Sequence, residues 1–309
     1  CVVYFFKKEM KVLITGATGM IGSRLSDLCR ESGMIVHYLT TSKSKIEKRE
    51  DYKGFYWDPK SEEIEKECLD GVSTIIHLAG ASIAEKWTSE YKETIIKSRT
   101  ETAALLYDTL KNNEHQVENF ISASAIGKYP DSLEKLYFED DEVLADNFVG
   151  MVVKKWEAAA DRFSNLGIDV AKIRVGLVLS EKGGMLEKVR KPIEMNVGAP
   201  LGSGKQWQSW IHLDDLAGIF LHAIERELTG VYNAVAPNPV TNKEMTKQLA
   251  DQLNKPLWLP NVPKFVLKTM LGEMSQIVLS SQLVSCKKIE EHGYKFKYSN
   301  LSKALEDLT

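Results

Sequence analysis

Three glycines, Gly16-x-x-Gly19-x-x-Gly22, have the type and spacing that most directly point to chemistry. They follow a short β-branched run, Lys11-Val12-Leu13-Ile14-Thr15. They open a helical pattern with Ile21, Leu25 and Leu28 on one face. Such a strand–turn–helix brings backbone N–H groups and a helix N-terminus to bear on an anion. Gly16 allows the turn, Gly19 lets a pyrophosphate approach the backbone, and Gly22 lets helix and strand pack closely. Dinucleotide binding is therefore expected at Gly16, Thr18, Gly19, Met20, Ile21 and Gly22.

The end of the second strand bears on which dinucleotide. A site for NAD usually places Asp or Glu there, about 20 residues past the glycines, on the ribose hydroxyls. Here the chain reads Leu39-Thr40-Thr41-Ser42-Lys43-Ser44-Lys45, with no carboxylate before Glu47. Hydroxyls and two lysines suit a 2′-phosphate, so NADP(H) is expected over NAD(H), with NAD possible. Thr41 and Lys43 are the expected contacts. An ordinary solvated loop is the other reading of Lys43 and Lys45. Asp58 follows the short strand Phe55-Tyr56-Trp57. It is placed either to meet the adenine amino group or to turn the chain before Pro59.

The elements around these residues alternate. Strands are expected at Ile35 to Leu39, Ser73 to Ala79, Asn119 to Ala123 and Val170 to Val175. Ser61 to Leu69 reads as an acidic surface helix. A long helix is expected from Ser89 to Lys111, its inward face carrying Tyr91, Ile95, Ser98, Thr102 and Leu105. Another runs from Phe148 to Leu166, ending at Gly167. Strand–helix alternation over residues 11–175 predicts an α/β fold, a Rossmann-like doubly wound parallel sheet. Beyond Arg174 the texture is loop-rich. A helix capped by Asp214 and a strand from Val231 to Ala236 are expected to return to the first sheet. The expected division is 10–179, with 212–236 returning, as a nucleotide-binding domain. Residues 180–211 and 237–309 form a smaller C-terminal lobe. The stripe Phe265, Leu267, Met270, Leu271 and Met274 reads as core.

The chain has 309 residues, 43% hydrophobic and 27% charged, which excludes a disordered or collagen-like chain. A net charge of −3 offers nothing to nucleic acid or to an anionic membrane. No apolar run reaches the ~18 residues of a membrane helix. Cys1, Cys29, Cys68 and Cys286 have no metal-ligand spacing, so no metal is expected and the thiols read as reduced, in a cytoplasmic protein. Residues 1–9, before Met10, read either as an upstream extension or as a segment foreign to the natural chain. Oligomeric state is not legible.

Thr15-Gly16-x-x-Gly19-x-x-Gly22 resembles the short-chain dehydrogenase/reductase superfamily. Two further motifs are similar to that superfamily and its extended branch: His77-Leu78-Ala79-Gly80-Ala81 and Trp210-Ile211-His212-Leu213-Asp214-Asp215-Leu216-Ala217. Other fragments occur in order: Ser98-Arg99, Ser122-Ala123-Ser124-Ala125, Trp156-Glu157, Arg174-Val175-Gly176, Gly183-Gly184, Leu201-Gly202-Ser203-Gly204 and Asn233-Ala234-Val235-Ala236-Pro237. The set resembles an atypical extended family of epimerase-like, NAD(P)-dependent oxidoreductases over residues 10–307. That family carries a C-terminal domain of unknown function, which residues ~240–307 resemble. The resemblance adds Leu78, Ala79 and Gly80 to the cofactor contacts.

The resemblance also implies a catalytic set. Relatives use a Ser or Thr after the fifth strand and a Tyr-x-x-x-Lys on the next helix, which together exchange a proton during hydride transfer. Ser124 matches the serine. Counting back from Glu157 places the tyrosine at Val149 and the lysine at Val153. Val149, Val153, Trp156, Ala160 and Phe163 form one apolar stripe, with Lys154 and Lys155 turned away from it. Tyr129 is the candidate substitute acid. Ser98 and Arg99 stand near a substrate, Arg99 either holding an anion or pairing with a nearby acid. Gln206 and Trp210 are candidate substrate contacts, and Trp207 lines either a pocket or a seam. His212 reads as structural. The function expected is an NAD(P)-binding epimerase or oxidoreductase acting on a sugar nucleotide or related hydroxy or carbonyl compound. A non-catalytic NADP(H)-binding sensor is the alternative.

Overall fold

The structure is a computed structural model that describes residues 10–181 and 183–309. Cys1 and the segment 1–9 lie outside the described residues. In chain order, β1 (Lys11–Thr15) enters α1 (Met20–Glu31) through the glycine turn. Then come β2 (Ile35–Thr40), β3 (Tyr52–Asp58), the short β4 (Glu63–Ile64) and β5 (Thr74–His77). Helix α2 (Ser89–Lys111) leads to β6 (Asn119–Ala125), β7 (Leu136–Tyr137), α3 (Phe148–Asp161) and β8 (Asp169–Val175). Next are β9 (Leu177–Leu179), α4 (Gly184–Glu194), β10 (Trp207–Gln208), β11 (Trp210–His212), α5 (Leu213–Glu225) and β12 (Gly230–Ala234). The remainder holds β13 (Val240–Thr241), α6 (Asn242–Gln252), α7 (Lys264–Leu271), α8 (Ser275–Leu279), β14 (Leu283–Val284), α9 (Lys287–Glu291) and α10 (Leu301–Leu308).

Eight strands make one sheet in the order β12-β8-β6-β5-β1-β2-β3-β4. Every pair is parallel except β3 with β4. Strand period two sorts the side chains onto two covered faces. Val12, Ile14, Val36, Ile121, Ala123 and Ile173 pack with Leu25 of α1 and with Leu216 and Phe220 of α5. Leu13, Leu39, Phe55, Ile75 and Phe120 pack with Leu106 and Leu110 of α2 and Ala160 of α3. Returning β12 lies parallel to β8, with Tyr232 beside Ile173. The late helices have a core of their own, in which Leu249 of α6 meets Leu301, Leu305 and Leu308 of α10 beside Trp210.

Three expectations are corrected. Residues 61–69 are not an acidic helix. Glu62 turns the chain at φ 56°, and β4 adds to the sheet edge with Ile64 opposite Trp57. A 3₁₀ turn, Lys66–Leu69, follows. The cap of α5 is His212 rather than Asp214: its Nδ1 accepts the Asp214 N–H at 3.0 Å. Asp214 instead binds Arg24 at 2.8 Å and Lys297 at 3.1 Å. The stripe at 265–274 is not one core face. Leu267 is buried, but Phe265, about 200° round the helix from it, and Met270 are exposed.

Candidate cofactor and substrate site

The glycine turn is built as its sequence requires. Gly16 has φ +72°, a conformation that side chains other than glycine rarely adopt. A Cβ on Gly22 would fall 2.2 Å from the Gly16 carbonyl oxygen, so only glycine lets α1 pack this close to the turn. Gly19 caps α1 in an extended conformation with no side-chain hydrogen bond, and both Gly19 and Thr18 are exposed. The first N–H groups of α1, from Met20 onward, therefore face outward with the positive end of the helix. Thr15 Oγ1 accepts the N–H groups of Leu78 and Ala79, each at 3.0 Å, locking the ends of β1 and β5 together. Sequence reasoning missed this hydroxyl. Its signal was a polar residue ending an otherwise apolar strand.

Beyond β2, Thr41 and Lys43 are exposed, and Lys43 Nζ lies 4.6 Å from the centre of the Tyr56 ring. Glu47, the nearest carboxylate along the chain, points its acid at Arg49, 3.0 Å away. Asp58 Oδ1 accepts the Lys60 N–H at 3.0 Å and so forms the turn at Pro59.

The end of β6 is closed by a buried ionic network. Glu157 on α3 takes two hydrogen bonds from Arg174 on β8, 2.8 Å from Nε and 3.1 Å from Nη2. Ser124 Oγ donates to the same carboxylate at 2.7 Å. Tyr129 OH donates to Asn233 Oδ1 and accepts from Arg174 Nη1, both at 2.8 Å. Glu139 holds the Asn233 N–H at 2.8 Å. Burial pushes the Glu157 carboxyl up, but the hydrogen bond and charge of Arg174 with the Ser124 bond outweigh it, leaving it below the usual range. Burial pushes the Tyr129 hydroxyl up despite Arg174. Ser124 and Tyr129 are both almost fully buried, so neither hydroxyl is free in this state. Asn233 and Arg174 sit in motif fragments visible in the sequence, but nothing there assigned them to this network.

The apolar stripe of α3 is as expected. Val153 is buried, and Val149 packs against Gly127, where an added Cβ would meet its Cγ1 at 2.4 Å. Val149 belongs to a small apolar cluster with Trp87, Phe148, Met274 and Ile277. Lys154 and Lys155 are exposed.

The four proposed substrate contacts fall in two places. Ser98 Oγ accepts the Ala81 N–H at 2.9 Å, and Arg99 lies buried beneath Gly80. Gln206 and Trp210 belong to the seam of the late helices. Gln206 Nε2 donates to the Leu201 and Val278 carbonyls at 2.9 and 3.2 Å, and fully buried Trp210 donates to the Asn238 carbonyl at 2.9 Å. Trp207 reaches the Leu133 carbonyl at 3.0 Å. His212 is structural: it caps α5, stacks on Tyr298 and sits 3.3 Å from Asp307. Cys29, Cys68 and Cys286 are buried free thiols, each pushed up to about 12 by burial. Among the described residues no group of side chains could hold a metal ion, and no helix is long and apolar enough to cross a membrane.

With this geometry in hand, comparison with known proteins is specific. Residues 12–234 match the NAD dependent epimerase/dehydratase family, and residues 262–308 match a domain of unknown function (DUF1731). An Arabidopsis thaliana protein, the chloroplastic epimerase family protein SDR39U1 homolog, is 38% identical over 97% of this chain and 86% of its own. Epimerase family protein SAR0825 of Staphylococcus aureus is 37% identical over 96% of this chain and 98% of its own. The solved structure of human epimerase family protein SDR39U1 (isoform 2), obtained with NADPH, superposes with TM-score 0.83 at 27% identity. It covers 97% of this chain and 99% of the human one. The chain belongs to the NAD dependent epimerase/dehydratase family.

Proposed function

We propose that this protein binds NADP(H) in the Gly16–Gly22 turn and acts on a hydroxyl or carbonyl group of a small molecule, such as a sugar nucleotide, without a tyrosine–lysine relay. The observation that carries the reading is the uncapped, side-chain-free N-terminus of α1 beside the locked ends of β1 and β5. Choice of phosphate over ribose hydroxyl rests on the β2 end. Thr41 and Lys43 are exposed there, and Glu47 is held by Arg49. The human relative's structure with NADPH points the same way.

When bound, the dinucleotide supplies or accepts hydride. The chain's own part is to bind, orient and manage a proton. Gly16, Thr18, Gly19, Met20, Ile21 and Gly22 would take the pyrophosphate. Leu78, Ala79 and Gly80 would line the crevice at the carboxyl end of β5. Asp58 Oδ2 is available to the adenine amino group while Oδ1 holds the turn. Val149 and Val153 have no ionisable group, so they hold no proton. Ser124 and Tyr129 remain the hydroxyls assigned to the reaction. Both are bonded internally, so their contribution requires the Glu157–Arg174 network to shift. The substrate lies between residues 10–179, with 212–236, and the smaller lobe of 180–211 and 237–309.

Calorimetric titration with NADPH and NADH tests the reading. Tighter NADPH binding is expected, and equal affinity or a preference for NADH would refute the phosphate assignment. Turnover of sugar nucleotides or simple alcohols, followed at the nicotinamide absorbance, is expected to be slow. General acid–base help is worth roughly 10²–10⁴ in rate, and the usual pair that gives it is absent.

A further inference from the structure

Beneath the end of β5, between α2 and α3, lies a cation with no counter-charge among the described residues. Arg99 is 9% exposed. Its Nη1 donates to the Ile95 carbonyl at 2.9 Å and lies 3.5 Å from Ser98 Oγ. Its Nε–H is buried with no acceptor, and among the described residues no carboxylate forms an ion pair with it. The guanidinium lies over the Trp156 ring, 4.8 Å from the ring centre, and the Trp156 Nε1–H is also buried with no acceptor.

Burying an arginine without a counter-charge is costly, and its unmet buried N–H adds to that cost. Desolvation lowers the Arg99 guanidinium to about 10, and no nearby carboxylate restores it. It therefore remains cationic at neutral pH. Exposed Gly80 packs directly on it. A Cβ on that exposed residue would stand 3.1 Å from Arg99 Cζ and 3.3 Å from Nη1. Ser98 holds the loop in place through the Ala81 N–H. One residue without a side chain thus separates a buried, unpaired cation from the edge of the sheet where a parallel α/β fold opens its ligand crevice.

We propose that Arg99, with the Trp156 indole N–H beside it, receives an anionic oxygen of the molecule bound at the carboxyl end of β5, a carboxylate or phosphoryl oxygen. The proposal rests on the reading of that crevice as the ligand site, and it makes the substrate class anionic unless the oxygen belongs to the dinucleotide. A neutral alcohol would leave the charge uncompensated. A carboxylate or phosphoryl group would satisfy charge and donors together.

The test is magnetic resonance of the whole chain labelled with ¹⁵N, reading the arginine Nε–H and indole signals. The Arg99 signal is identified by its loss in Arg99→Lys. NADP+ is added first, then inorganic phosphate or acetate to the NADP+-loaded protein. Movement and saturation of the Arg99 and Trp156 signals is expected. If NADP+ alone causes it, the oxygen is cofactor-borne; if phosphate or acetate is needed, it is substrate-borne. Gly80→Ala keeps the cation and narrows the approach, and at least a tenfold weaker response is expected. No movement with any probe, in protein whose glycine-loop amides do respond to NADP+, would overturn the proposal. Equal responses at Arg24 and Arg30 would mark an adventitious ion only and overturn it as well. If Arg99 responds to phosphate while the glycine loop ignores NADP+, the proposal stands and the dinucleotide reading falls.

Discussion

The turn after β1 and the turn after β6 lie two strands apart on the same edge of the sheet, and they are finished in opposite ways. After β1 the backbone is bare: Gly19 leaves the helix end without a side-chain cap, and among the described residues no side-chain atom comes within 4 Å of where its Cβ would stand. After β6 the polar groups are spoken for. Ser124, Tyr129, Arg174, Glu157 and Asn233 satisfy one another in a continuous buried network. The first arrangement leaves exposed helix N–H groups open to a ligand. The second is complete already, and it stiffens the place where relatives are expected to carry proton chemistry. On the proposed reading, binding at the first turn and proton chemistry at the second are separate demands on the chain. The changes below are ordered by how hard they press on that separation.

Gly19→Val presses hardest. The backbone at Gly19 is extended, φ −86° and ψ 174°, so valine fits the fold, although its Cβ would lie 3.2 Å from the Gly16 carbonyl oxygen. Its methyl groups would stand where the pyrophosphate meets the helix N-terminus. Dinucleotide affinity should fall by about 100-fold or more, roughly 2.7 kcal/mol, with circular dichroism unchanged. Retained binding in a folded protein would place the cofactor elsewhere.

The β6 network should fail as structure rather than as affinity. Arg174→Met strands the Glu157 carboxylate, and breaking a buried pair from one side costs about 3–5 kcal/mol. Urea unfolding measures it, and a loss under about 1 kcal/mol would mean that the network is loosely solvated. Acid should open the same pair. The Glu157 carboxyl is held below its ordinary value, so its stabilisation is complete above the usual glutamate range. That stabilisation is lost as pH falls through the depressed folded value. In Glu157→Gln this acid-dependent component should disappear from the stability–pH curve.

The same contrast explains what the sequence made legible. Local physics fixed the first turn: glycines at set spacing, a β-branched strand before them and a helical period after them left little choice. The sheet followed from alternation. The β6 network was opaque because its members come from five separate segments, and only the fold brings Asn233 to Tyr129. Ser124 and Tyr129 were visible as hydroxyls, but their burial was not. The acidic stretch 61–69 misled because glutamates favour helix, whereas pairing of Ile64 with Trp57 at the sheet edge decides the conformation. Phe265 and Met270 misled because apolar residues need not be inside.

Lys43→Glu tests the edge of the binding turn with a smaller effect. The lysine is exposed, so its contribution is screened and about 1 kcal/mol is the ceiling expected. NADPH affinity should fall several-fold while NADH affinity barely changes. No selective effect would mean that Lys43 rests on Tyr56 and never reaches the 2′-phosphate.

The smallest effect is expected at Lys154, and it carries the sharpest information about α3. Val149, Val153 and Glu157 lie four residues apart along one face, with Val153 buried and Glu157 fixed to Arg174. Lys154 is one residue further round, about 100° away, and exposed. A side chain on that bearing cannot lower the pKa of a group at position 149 or touch a ligand at the ends of β5 and β6. Lys154→Ala should therefore change stability by no more than about 0.5 kcal/mol and leave NADPH binding and any turnover as they were. Ser124→Ala and Tyr129→Phe should each lower turnover and, by stranding Glu157 or Arg174 partners, stability as well. A Lys154→Ala protein that is stable, binds NADPH and has lost its turnover would show that α3 rotates when the site is filled. It would then be Lys154, not Val153, that meets the cofactor.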